Sequence, residues 1–122
     1  MTVHEAISGI DGLWPNQYTD AQKLGWLNAL DGMIFLELLC THEGGPERFT
    51  PYTSASAGTE LLVPPPYDGE LYMNYLQSCI DRHNGETGRY NVSASLYNAA
   101  MQRFEDYWNR THRPMRRGKV RL

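Results

Sequence analysis

Residues 42–67, "HEGGPERFTPYTSASAGTELLVPPPY", hold five of the chain's seven prolines, together with five glycines or serines. No helix survives that density of breakers, because each proline removes an amide donor and collides with the preceding turn. The stretch therefore divides the chain into helix-period segments on either side of one long irregular loop. A loop of this length inside a small domain is usually functional or disordered. Phe49, Tyr52, Leu61, Leu62 and Val63 argue against disorder, since so apolar a segment gains by covering a surface, its own or a partner's. The composition favours a binding arm, in which "RFTPYT" and "TELLV" are short extended pieces able to pair as a β-hairpin.

The flanks carry helical signals. Thr2 with Glu5, and Thr19 with Gln22, have the spacing of capping boxes, in which the threonine hydroxyl and the longer side chain satisfy each other's backbone amides. A short first helix follows Thr2, with Val3, Ile7, Ile10 and Trp14 at helical spacing and Gly9 and Gly12 weakening it. The second runs from Asp20 to about Thr41 and presents Leu24, Leu27, Ile34, Phe35, Leu38 and Leu39 on one face, while Gly25 and Gly32 permit a bend or a close neighbour. Pro64, Pro65 and Pro66 hold an extended approach to a third helix, capped by Asp68, whose stripe is Tyr72, Tyr75, Leu76, Cys79 and Ile80. Asn84 and Gly85 end it in left-handed backbone. The last helix spans about Tyr90 to His112, turns Leu96, Tyr97, Ala100, Phe104, Tyr107 and Trp108 inward, and stops at Pro114.

A chain of 122 residues, 41% hydrophobic, supports one domain with a modest core. Its longest apolar run, "MIFLELLC", includes Glu37 and is too short to cross a bilayer, so a soluble intracellular protein with no membrane association is expected. Cys40 and Cys79 lie in apolar helical contexts without ligand spacing and read as buried free thiols. Charge divides unevenly. Up to His112 six cations face fourteen acids, a net of −8, and beyond it Arg113, Arg116, Arg117, Lys119 and Arg121 give +5. A basic arm of this kind suits nucleic acid, an acidic partner surface or the body of an identical neighbour.

No reaction is visible in the sequence. His42 with Glu43 and Glu47, and His83 near Asp81 and Glu86, lack metal-ligand spacing, and His42 reads as a solvated helix end. Cys40 and the serines of "TSASAG" have no local base, and "EGGPE" lacks the lysine and hydroxyl of a phosphate loop. The expectation is a protein with no catalytic residues, no metal and no cofactor.

The block "ELLVPPPYDGELYMNYL" followed by "IDRHNGETGRYN" resembles a family of small phage head-tail connector (head-completion, adaptor) proteins. So do "AISGIDGLWPNQYTDAQKLGWLNALDGMIFLELLCTHEG" and "FTPYT", and the likeness runs from about Val3 to Pro114. It implies a mainly α fold, a bundle of about four helices with the long loop between the second and third. The helical connector domain would be residues 1–113, with 114–122 a basic tail. It also implies a structural virion protein, monomeric when free, that assembles in the host cytoplasm as a ring of roughly twelve subunits. That ring would dock on the portal at the head-tail junction, extend the DNA channel without gripping DNA, and receive a tail-side completion protein. Phe49, Tyr52, Leu61, Leu62 and Val63, with Arg113, Arg116, Arg117, Lys119 and Arg121, are the expected contact residues. Loss of residues 113–122 is expected to leave the fold intact. The alternative is a small helical nucleic-acid-binding or regulatory protein whose basic tail grips phosphates.

Overall fold

The computed structural model of the chain describes residues 1–115. Four helices make up its body: α1 (Val3–Leu13), α2 (Asp20–Glu37), α3 (Asp68–His83) and α4 (Thr87–Thr111), with a 3-10 turn at Leu39–Thr41 after α2. The chain is thus mainly helical, with the loop between α2 and α3. Both capping boxes form. The Thr2 hydroxyl accepts from Glu5 N at 3.1 Å and the Glu5 carboxylate from Thr2 N at 2.8 Å, and Thr19 and Gln22 exchange equivalent bonds. Such a cap is worth about 1 kcal/mol, which offsets only part of what Gly9 and Gly12 cost α1, and the burial of Val3, Ala6 and Ile10 supplies the rest.

Contacts at the helix ends fix the directions. The Met1 amino group reaches Asp68 at the start of α3, Tyr18 beyond α1 donates to Asn84 at the end of α3, and His42 beyond α2 bridges Pro114 beyond α4. α1 and α3 therefore run one way, α2 and α4 the other. α4 packs almost wholly on α3, and α1 and α2 pack on α3 and on each other. Between them lie Ala6 and Ile10 of α1, Leu27, Leu30 and Ile34 of α2, Leu71, Tyr72, Leu76 and Ile80 of α3, and Ala100 and Phe104 of α4, all buried. Each large side chain there contributes roughly 1.5–3 kcal/mol.

Several expectations are corrected. α2 unwinds at Glu37, and α4 begins at Thr87. Asp68 is the first residue of α3 and not its cap: its carboxylate takes Gly69 N and the Met1 amino group. Tyr67 N donates to Pro64 O at 3.0 Å, so the prolines bend into a turn where an extended run was expected. Gly85 takes the left-handed backbone (φ +73°), whereas Asn84 stays helical. Leu96 points outward, and Ser93 and Met101 are buried in its place. Cys79 is buried but Cys40 only half so. No hairpin forms among the described residues. The loop pairs instead with the N-terminal segment, through Leu61 N to Met1 O and Val3 N to Thr59 O, each at 2.9 Å. The nearby amide chain already lying on the core offers those bonds at less entropic cost than closing a free hairpin.

Candidate interaction surface

The loop is held by one buried carboxylate. Asp31, in the middle of α2, has no exposed surface. Its Oδ2 accepts from the Tyr52 hydroxyl at 2.5 Å and from Leu62 N at 3.0 Å, and its Oδ1 accepts from the Tyr72 hydroxyl of α3 at 2.7 Å. Tyr72 in turn accepts from Val63 N at 3.0 Å. Burial pushes the Asp31 carboxyl above its ordinary value, although all three bonds pull the other way. Burial, with the neighbouring carboxylate, also raises the hydroxyls of Tyr52 and Tyr72, so both remain protonated donors. Asn28, nearly one turn before Asp31, adds a second anchor by exchanging bonds with the backbone of Tyr52 at 2.6 and 3.0 Å.

These anchors decide where the expected contact residues lie. Tyr52, Leu61 and Val63 are 5%, 5% and 1% exposed and belong to this chain's own core, which removes them as a docking surface. Phe49 is half-buried, stacked on Phe35 and edge-on to Tyr52. Leu62 is also half-buried. What the loop leaves open is its tip. Thr53, Ser54 and Ala57 rim a cavity of about 250 Å³ floored by Val3, Ile7 and Leu24.

The basic segment begins in structure. Arg113 is exposed, its carbonyl accepts from Glu43 N at 2.8 Å, and Met115 N donates to Thr41 O at 3.0 Å. The chain is therefore tied to the end of α2 as far as Met115, past the expected boundary at residue 113. Arg116, Arg117, Lys119 and Arg121 lie outside the described residues.

Exposed apolar surface sits on the helices instead. Residues Asp20–Thr41 are long and apolar enough to cross a membrane by composition, with a mean hydropathy of 1.3 over the best window, yet only 33% of that window is buried. The excess lies on the outer face of α2, where Ala21, Gly25, Ala29 and Leu36 are open and Leu36 is 67% exposed. Nothing lies within 4 Å of a side chain built at Gly25. A second such face lies on α4, where Val92 is 62% and Leu96 51% exposed. Sequence reading missed both. The available signal was a second set of uncharged positions at helical spacing on helices already supplied with an inward stripe.

The polar clusters are structural. Lys23, 2% exposed, donates to Asp11 Oδ1 at 2.6 Å and to Tyr18 O at 2.8 Å, closing the α1–α2 connection. Burial raises the Asp11 carboxyl, but the bonds from Lys23 and Asn16 outweigh it and hold the group below its usual value. His42 is buried, with Nδ1 2.9 Å from Leu38 O, so the expected solvated helix end is corrected. His83 lies over Trp26 and beside Tyr18. Asp81 is fully buried, with Oδ2 taking the Ser93 hydroxyl at 2.9 Å and Oδ1 without a partner. No group of three potential metal ligands gathers among the described residues. Comparison with known protein families, with characterised proteins and with solved structures finds no match.

Proposed function

We propose that this chain is a structural subunit of a phage head-tail connector, a ring seated on the portal that extends the DNA channel and presents a platform to the tail. The observation that carries the reading is the pair of uncharged apolar helix faces, on α2 and α4, left open on a chain whose loop is already folded away. A subunit with two unlike faces needs a neighbour on each side, which is the requirement of a closed ring. The net charge of −8 up to His112 supports a conduit wall: it repels phosphates where a DNA-binding face would attract them. Resemblance to the connector family supplies the portal and tail-side partners.

The test is co-sedimentation with the portal ring of the same virus. The subunit is expected to travel with the portal in a fixed ratio, and a subunit left wholly at the top of the gradient refutes the reading.

A further inference from the structure

We propose that the seam between α3 and α4 holds a binding site for a small aromatic carboxylate, independent of the connector reading and sharing none of its residues. The two helices form an antiparallel hairpin closed by the turn at Gly85. One stripe of each faces the seam: Tyr75, Cys79 and Arg82 at helical spacing on α3, and Tyr90, Ala94 and Tyr97 on α4. The Tyr75 and Tyr97 rings meet with centroids 5.3 Å apart, and that pairing sets Cys79 opposite Ala94 and Arg82 opposite Tyr90. Ala94 is too small to fill the space across from Cys79, so the helices enclose a cleft of about 180 Å³.

The two ends of the cleft differ. At one, Tyr75 and Tyr97 supply aromatic walls tilted at 56°. Burial raises both hydroxyls, with the charge of Glu105 adding at Tyr97, so both stay protonated. The floor is Cys79, 4% exposed, whose thiol burial also pushes up, and it carries no charge. At the other end stands Arg82, exposed and, among the described residues, in no ion pair. The acids near it are engaged elsewhere, Glu86 with Arg89 and Asp81 with Ser93, and none lines the cleft. An open guanidinium takes a carboxylate through two parallel bonds, which selects that anion. Aromatic walls over an uncharged floor select a flat apolar body. The charge of Glu105 beside Tyr97 fixes the direction, with the carboxylate on Arg82 and the ring towards Tyr75 and Tyr97.

The test is a nuclear magnetic resonance titration of the full chain with benzoate, a free acid, and with acetyl-phenylalanine, which offers the same chemistry as the terminus of a partner chain. At least one is expected to bind with a Kd of ~1 mM or tighter and to move the resonances of Arg82, Ala94 and Tyr97, and the tighter of the two names the source. Benzamide, without the charge, and inorganic phosphate, without the ring, are expected to bind ~10-fold more weakly or less. Arg82→Gln, at an exposed position, is expected to keep the melting temperature and to weaken binding about 10–100-fold. Ala94→Leu fills the cleft and is expected to abolish binding. Benzamide or phosphate binding as tightly as the acids, an affinity unchanged by either substitution, or no shift at Arg82 with either acid at ~10 mM overturns the site. Each of these results leaves the connector reading standing, since no portal enters the experiment.

Discussion

Asp31→Ala leaves three buried donors, the hydroxyls of Tyr52 and Tyr72 and the amide of Leu62, without an acceptor. Each orphaned donor costs about 1–3 kcal/mol, and removing a buried carboxyl recovers part of that, so a net loss of about 3–5 kcal/mol is expected. For a domain whose whole stability is of order 5–15 kcal/mol this is severe. With a urea slope near 1.5–2 kcal/mol/M the midpoint falls by roughly 2 M. Asp31→Asn is milder. Its carbonyl oxygen can serve Tyr52 and Leu62 while its amide faces Tyr72, whose own proton then has no acceptor, so about 1–2 kcal/mol is lost.

The pH dependence separates this account from simple side-chain loss. Because burial raises the Asp31 carboxyl in the folded state, the folded chain holds its proton more tightly than the unfolded chain does. Stability from this group is therefore full below the ordinary carboxyl value of 3.8 and declines as pH rises through the raised value. The deficit of Asp31→Asn relative to wild type should be largest near pH 4 and shrink towards neutrality. Urea titrations of both proteins between pH 4 and 7 measure it. A deficit that is constant or grows with pH, or an asparagine variant as unstable as the alanine one, refutes the reasoning.

Other outcomes follow from single contacts. A Cβ at Gly45 would lie 2.5 Å from Leu39 O and 3.2 Å from the Trp108 ring, so Gly45→Ala should cost about 1–3 kcal/mol by thermal denaturation, whereas Gly25→Ala on the open face should be neutral or slightly stabilising. Lys23→Met keeps the buried stem but takes the donor from Tyr18 O and leaves Asp11 with Asn16 alone, and should lower stability by about 1–3 kcal/mol. Truncation after His112 removes the bonds from Glu43 to Arg113 and from Met115 to Thr41 and should cost about 1–2 kcal/mol in the same melt. If the basic tail binds nucleic acid, a filter-binding titration will show affinity at low salt that falls steeply by physiological salt and is lost on truncation after Met115; the connector reading expects no such binding.

The helices were legible where the signal is local. Thr2 with Glu5 and Thr19 with Gln22 are three residues apart, so their caps could be read directly. Leu27, Ile34, Tyr72, Leu76 and Phe104 obeyed the helical period and are buried. The loop was another matter. Tyr52 and Leu62 meet Asp31 across 21 and 31 residues of sequence, and Tyr72 across 41, so nothing local announced that an aspartate on an apolar helix would draw the loop inward. Its hydrophobic residues were correctly read as covering a surface, but that surface is mostly the chain's own. Leu96 was misplaced because α4 is uncharged on two sides over this stretch, and the period alone does not choose between them.

The most direct measurement is electron microscopy of portal rings incubated with the purified chain. The account predicts a closed ring of added density on one end of the portal. Portal particles without added density, beside a chain that stays monomeric at every concentration, contradict it.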